Sequence, residues 1–158
     1  MERSSSTFLN REQSRVILSL DYPVRPKSIA PDADESLRVL RERANAPKAA
    51  AALEGADVLF AFQSDGLKEP RDFVTNAARA VKAGLSPDAA VRALTINAAK
   101  IAGAGERLGS LEKGKIANVI VVDGDLFDEK TSVRHVFIDG RLVALDSAER
   151  RTTTAGQR

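Results

Sequence analysis

The residues that could perform metal chemistry are few in this chain. It contains a single histidine, His135, and no cysteine. Asp65 follows an apolar run and precedes Gly66, a place where a carboxylate could bind a divalent ion or accept a proton from an attacking water. A catalytic zinc usually has three protein ligands and one open position. Asp65 alone cannot complete such a site, so the sequence predicts at most a part of a metal centre.

The composition is that of a globular domain with little charge bias. The 158 residues are 43% hydrophobic and 29% charged, which suits one ordinary domain with a core. A net charge of +2 and an aromatic content of 4% argue against a nucleic-acid partner. No apolar run approaches the roughly 20 residues of a membrane span. We therefore expect no nucleic acid and no membrane partner, and the absence of cysteine favours a reducing, cytoplasmic location.

Strand and helix patterns alternate over the first two thirds of the chain. Residues 16–20 and 58–62 are short apolar runs, and the second is typical of a strand buried on both faces of a parallel sheet. Helical patterns begin at Asp34, at Lys48 and near Pro70. Ser86 and Thr95 are predicted to cap two further helices, over residues 87–94 and 96–102.

The pattern changes to strands after Leu108. Residues 116–122, 133–138 and 142–145 are strand-like. Asp139 and Gly140 lie between the last two runs, and this pair strongly predicts a two-residue hairpin turn, because both central positions need positive φ. A section of alternating strands and helices is therefore followed by a small β section.

A set of motifs in the second half of the chain resembles a known family. It comprises Thr-Ile-Asn-Ala-Ala-Lys at 95–100, Gly-Ser-Leu-Glu-Lys-Gly-Lys at 109–115 and Ala-Asn-Val-Ile-Val at 117–121, which we call the C-terminal signature. The signature resembles that of the amidohydrolase superfamily. Its continuation over residues 124–128 and 133–141 is most similar to the imidazolonepropionase-like branch.

The resemblance implies an α/β fold and a division of the chain. The fold would be a partial (β/α)8 TIM barrel end, consisting of the last two βα units, followed by a small C-terminal β-sandwich segment. The barrel part would span 15–105 and the sandwich segment 106–147, with a disordered or connecting stretch at 1–14 and a disordered tail at 148–158. A complete barrel needs on the order of 250 residues, so this chain cannot close one.

The same resemblance gives Asp65 a role. Residues 16–20 and 58–62 resemble the seventh and eighth barrel strands, and Asp65 falls where the family keeps an aspartate that is both catalytic residue and metal ligand. Taken alone, Ser-Asp-Gly after a strand is also an ordinary turn; the downstream signature favours the catalytic interpretation. Gln63 and Ser64 stand where many members have Gly and Thr, which predicts a bulkier pocket or a nonstandard branch. His135 is expected to be an ordinary strand residue.

These observations leave two main hypotheses for function. The first is the C-terminal portion of a metal-dependent amidohydrolase that hydrolyses carbon–nitrogen bonds, in non-peptide or small-peptide amides of a small-molecule substrate, in its full-length form. That form would hold a divalent metal, with zinc expected, on ligands that precede this chain, whereas the chain alone should bind none. The second is a non-catalytic barrel remnant or module that needs a partner chain, or forms a homo-oligomer through exposed strand edges. A phosphate binder ranks last, because neither strand precedes a Gly-rich loop.

Overall fold

The elements follow the predicted order of strand, helices, strand, helices and a final β section. The structure is a computed structural model that describes residues 14–30 and 32–145. The elements are β1 (Arg15–Ser19), α1 (Leu37–Asn45), a 3-10 turn (Ala46–Lys48), α2 (Ala49–Gly55), β2 (Leu59–Gln63), α3 (Asp72–Lys82), α4 (Pro87–Leu94), α5 (Ile96–Ile101), β3 (Val119–Val122), β4 (Val133–Ile138) and β5 (Arg141–Val143). The chain is thus a mixed α/β protein. Residues 1–13 of the predicted connector and the whole predicted tail lie outside the described residues.

Strands β1 and β2 form a parallel pair, as the sequence predicts. Their last residues, Ser19 and Gln63, are partners in the register. The three central residues of β2 are buried, whereas exposure alternates along β1. Parallel strands need a long crossover, which α1, the 3-10 turn and α2 provide. Both strands therefore end at the same edge of the sheet.

One predicted helix start and one predicted capping bond differ from the observed ones. The first helix begins at Leu37 rather than at Asp34, because Ser36 has extended geometry and its side chain accepts a hydrogen bond from the Val39 N–H. Thr95 stands at the predicted N-cap position of α5, but its side chain makes no capping hydrogen bond. Its hydroxyl instead donates to the Val91 carbonyl oxygen at 2.7 Å, which ends α4 rather than beginning α5. The predicted Ser86 cap is confirmed, since its hydroxyl accepts from the Ala89 N–H at 3.1 Å.

The core lies where β2 meets alanine-rich helix faces. Phe60 and Phe62 pack edge to face, with ring centroids 5.7 Å apart. Ala77 and Ala80 of α3 and Ala90 of α4 belong to the same buried cluster and are fully inaccessible to solvent. Small side chains at these positions allow the helices to approach the sheet closely. The first helix differs, because Leu37 and Leu40 on its apolar face remain exposed.

The β section is a three-stranded antiparallel sheet in the order β3, β4, β5. Asp139 and Gly140 have φ angles of 53° and 74°, which confirms the predicted hairpin turn. The first strand is shorter than predicted and begins at Val119 rather than at Ile116. The preceding residues bond elsewhere: the Ile116 N–H donates to the Arg107 carbonyl oxygen at 2.9 Å. Among the described helices, none has the length and apolarity that a membrane crossing requires.

Candidate functional site

Asp65 lies in the loop directly after β2, at the edge of the parallel pair where both strands end. It is exposed and follows Gln63, the last residue of β2, by two positions. The Leu67 N–H donates to the Ser64 carbonyl oxygen at 3.2 Å, which closes a turn with Gly66 at a φ of +87°. The ordinary turn that the local sequence suggests is therefore present. It places Asp65 in an exposed position at the end of the strand.

A second aspartate lies beside this loop. Asp21 follows Ser19, the last residue of β1, by two positions, just as Asp65 follows Gln63. A Cβ atom added to Gly66 would lie 2.7 Å from Asp21 Oδ2, so the Asp21 carboxylate rests against the main chain of Gly66. Sequence reasoning missed this neighbour. The signal that could have found it is the equal spacing of the two aspartates from the ends of paired parallel strands.

Hydrogen bonds from both strands hold the main chain of Asp65. The Asp65 N–H donates to Gln63 Oε1 at 2.6 Å, and the Ser19 hydroxyl donates to the Asp65 carbonyl oxygen at 3.4 Å. The same Ser19 oxygen accepts from the Asp21 N–H at 3.1 Å. The Asp65 carboxylate takes no part in these bonds. It therefore stays available for a ligand or a proton while its main chain is held.

The loop after β1 is tied to helix α1 by charged groups. Arg25 Nη2 donates to the carbonyl oxygens of Ala30 and Ala33, at 2.7 and 2.9 Å. Arg25 also forms an ion pair with Glu35 at 3.2 Å, and Arg43 donates to both carboxylate oxygens of Glu35. The hydrogen bonds from Arg43 lower the pKa of the Glu35 carboxyl below its ordinary value. The later part of this loop is thereby fixed to α1.

The described residues supply no complete metal site. Asp65 offers one carboxylate, and in residues 14–30 and 32–145 no group of three or more His, Cys, Asp or Glu side chains is placed to hold an ion. His135 lies on β4 opposite Val121, in the antiparallel sheet, as an ordinary strand residue. A zinc centre with three protein ligands cannot be assembled from this donor set.

The C-terminal signature supports the strand that leads to Asp65. The Asn97 side-chain amide donates to the Phe60 carbonyl oxygen of β2 at 3.1 Å. Gly109 has a φ of +92°, and a Cβ atom there would lie 2.7 Å from the Ile96 Cα atom. The signature residues therefore act in packing and hydrogen bonding around α5.

An apolar groove lies apart from Asp65. It has a volume of about 1020 Å³ and runs between α4 and the antiparallel sheet. Its lining includes Val91, Ile116, Ile120, Val136 and Ile138, and Ile120 and Ile138 are each at least half exposed. A groove of this kind suits a covering layer of protein better than a reacting polar substrate.

Known proteins resemble this chain over most of its length. The sequence model of the Amidohydrolase family matches residues 11–143. The crystal structure of an amidohydrolase from Thermotoga maritima MSB8 aligns with a TM-score of 0.66 and 32% identity, covering 88% of this chain and 33% of that protein. An imidazolonepropionase from Thermoplasma volcanium is 33% identical over 96 residues, which are 56% of this chain and 24% of the relative. Adenine deaminase 2 from Jannaschia sp. is 41% identical over 71 residues, 45% of this chain and 11% of the relative. The chain thus spans about a third or less of each of these three proteins.

Proposed function

Because this chain belongs to the amidohydrolase family, we propose that it is the C-terminal portion of a metal-dependent enzyme that hydrolyses carbon–nitrogen bonds in its full-length form. The bonds would be non-peptide or small-peptide amides of a small-molecule substrate. The observation that carries the proposal is the position of Asp65, an exposed carboxylate at the carboxyl end of a buried parallel strand. Active sites of (β/α)8 barrels lie at that end of their strands. The matched relatives carry different names, so the proposal extends to the bond class and no further.

The proposed architecture places β1 and β2 as the last two strands of such a barrel. Residues 15–105 would form this barrel part, and residues 106–147 would form a segment of a β-sandwich. The parallel register, the helical crossover and the following antiparallel sheet support this division. The rest of the barrel would come from residues that precede this chain in the full-length protein.

Asp65 is the residue to which we assign chemistry. In the full-length enzyme its carboxylate would be one ligand of a divalent metal, with zinc expected, and the other ligands would come from the preceding residues. A metal bound there lowers the pKa of water toward neutrality. Asp65 would accept the proton that the attacking water loses and deliver it to the leaving nitrogen, which is general base and then general acid catalysis. The hydrogen bonds of the Asp65 main chain to Gln63 and Ser19 would keep the carboxylate at the strand end during these proton transfers.

The test begins with the reading frame upstream of the Met1 codon. If it is open and encodes further barrel strands, the continuous protein is expressed and its divalent metal content and hydrolysis of an amide panel are measured. Asp65→Asn, which keeps the side-chain shape, is expected to lower kcat by roughly a hundredfold or more. Asp57→Asn is the matched control, since Asp57 precedes the opposite end of the same strand and Asn also tolerates its positive φ of 54°. Unchanged turnover in Asp65→Asn would overturn the assignment.

A second candidate function is a non-catalytic module that pairs with another chain. The apolar groove beside α4 and the exposed side chain of Ile17 on β1 favour it, because both are surfaces that a partner could cover. Stop codons directly upstream of Met1 would support this candidate. Zinc titration of the 158-residue chain discriminates further: a tight site on the chain alone would count against the module, and against our view that the chain alone binds no metal.

A further inference from the structure

Ser19 and Gln63 occupy equivalent places at the ends of the two parallel strands. They are the last residues of β1 and β2 and are partners in the register. Their side chains meet the two main-chain polar groups of a third residue. Gln63 Oε1 accepts from the Asp65 N–H at 2.6 Å, and the Ser19 hydroxyl donates to the Asp65 carbonyl oxygen at 3.4 Å. One residue of an exposed loop is thus held on both sides.

The two hydrogen bonds restrict different motions of the loop. The Gln63 bond spans two residues within one strand end, so it limits rotation about the main chain of residue 64. The Ser19 bond comes from the neighbouring strand, so it limits displacement of the loop away from the sheet. The Ser19 hydroxyl also accepts from the Asp21 N–H at 3.1 Å, so that one hydroxyl uses its donor and an acceptor lone pair to join both loops.

We propose that Ser19 and Gln63 are positioning residues that fix the main chain of Asp65 and thereby aim its carboxylate. Their effect on catalysis rests on the function proposed above, whereas their effect on the Asp65 main chain does not. A positioned proton acceptor saves the reorganisation that a mobile loop would need before each reaction, and misplacement by about 1 Å can cost roughly a hundredfold in rate. Neither side chain needs to touch the substrate for this role.

The hydrogen bonds can be tested on the 158-residue chain by nuclear magnetic resonance, without any activity. The scalar coupling across the hydrogen bond, from the Asp65 amide nitrogen to the Gln63 side-chain carbonyl carbon, reports the first bond directly. Gln63→Met keeps the side-chain length but removes the acceptor, so we expect it to abolish that coupling and to speed exchange of the Asp65 amide roughly fivefold or more. Ser64→Ala is the matched control in the same loop, since neither hydrogen bond involves the Ser64 hydroxyl; the coupling should persist.

The hydrogen bond from Ser19 to the Asp65 carbonyl oxygen is tested by removing the hydroxyl and then restoring it. Ser19→Ala is expected to shift the carbonyl carbon resonance of Asp65, and Ser19→Thr, which restores a hydroxyl, is expected to return it toward the wild-type position. Amide spectra outside the two loops show whether each variant is folded. A wild-type chain without the coupling, or with Asp65 amide exchange equal to that of Gln63→Met, would overturn the proposal.

Activity measurements distinguish a failure of the positioning role from a failure of the proposed function. In an active full-length protein, Gln63→Met and Ser19→Ala should lower kcat by roughly ten- to hundredfold with little change in KM, because they misplace Asp65 without removing a substrate contact. An unchanged kcat in both variants, alongside an inactive Asp65→Asn, would overturn the positioning role alone. If Asp65→Asn itself remains active, the proposed function fails, while the hydrogen bonds are judged by the coupling.

Discussion

The side-chain amide of Asn97 donates a hydrogen bond of 3.1 Å to the main-chain carbonyl oxygen of Phe60. Asn97 lies in α5, within the C-terminal signature, and Phe60 lies in β2, five residues before Asp65. The bond therefore links the part of the sequence that identifies the family to the strand that positions the candidate catalytic residue. A signature residue therefore acts here on the scaffold.

Replacing Asn97 by alanine should destabilise the fold. Phe60 is almost completely buried, so its carbonyl oxygen would lose a donor in a place with little water. We expect Asn97→Ala to lower the free energy of unfolding by about 1–2 kcal/mol. Asn45→Ala, at an exposed asparagine at the end of α1, is the control and should change it by less than about 0.5 kcal/mol. Urea unfolding measures both, and equal losses would refute a special role for the Asn97 bond.

Gly109 should be the glycine of the signature that least tolerates a side chain. Its φ is +92°, and an added Cβ atom would lie 2.7 Å from the Ile96 Cα atom and 2.9 Å from the Ala99 Cβ atom. We expect Gly109→Ala to lower the free energy of unfolding by about 2–5 kcal/mol, because backbone strain and overpacking add together.

Gly114→Ala separates the two contributions to that cost. Gly114 has a nearly identical φ of +93°, and no heavy atom lies within 4 Å of its added Cβ atom. In this variant only backbone strain should lower the free energy of unfolding, by about 1–2 kcal/mol. Thermal or urea unfolding of the two variants gives the difference, and a Gly114→Ala loss as large as that of Gly109→Ala would show that contact with α5 is irrelevant.

Local patterns in the sequence predict most of the scaffold. The apolar runs give both parallel strands, and Asp139 with Gly140 gives the hairpin, because each depends on residues close in sequence. Thr95 precedes α5 as the sequence predicts, but its hydroxyl bonds back to the preceding turn, and only the three-dimensional path of the chain decides between this bond and a capping bond. Sequence patterns therefore predict elements better than the bonds between them.

The candidate site could be predicted only in part. The downstream signature predicts the role of Asp65, and its place after β2 follows from the apolar run before it. The bond from Ser19 depends on the strand register, which a single sequence does not contain. The bulkier pocket or nonstandard branch that Gln63 and Ser64 indicate stays a prediction, and the structure adds that the Gln63 side chain accepts the Asp65 N–H. Residues 46 positions apart could not be joined by spacing alone.

Stability should depend on pH through Glu54, which joins α2 to the start of α4. Glu54 accepts a hydrogen bond from the Ser86 hydroxyl and another, at 3.0 Å, from the Ser86 N–H. The Ser86 hydroxyl is the first cause that lowers the pKa of Glu54 below its ordinary value of 4.5. These bonds favour the ionised carboxylate in the folded state. Their contribution to the stability of the folded protein is therefore complete above pH 4.5 and is lost as the pH falls through the lowered pKa of Glu54.

Glu54→Gln should remove that part of the pH dependence. The amide oxygen still accepts one hydrogen bond but does not titrate in the acidic range. We expect the free energy of unfolding of the wild type to fall more steeply than that of Glu54→Gln as the pH is lowered from about 6 to about 3. Urea unfolding at each pH measures both slopes. Parallel slopes would mean that the bonds to Ser86 do not distinguish the ionised carboxyl.

Self-association of the 158-residue chain is expected from its uncovered apolar surfaces. In the part of the chain that the structure describes, Ile138 on the groove is 56% exposed and Ile17 on β1 is 58% exposed. Open strand edges and apolar patches favour association, so sedimentation should show an average mass that rises with concentration. Ile138→Lys should lower this mass if the groove is the contact, and Ile17→Lys should do so if the parallel edge is. Thr75→Lys adds the same charge at an exposed position of α3 and should leave the mass unchanged. A strict monomer with a sharp, reversible melt would contradict the prediction, because such a chain would need no further strands or partner to cover these surfaces.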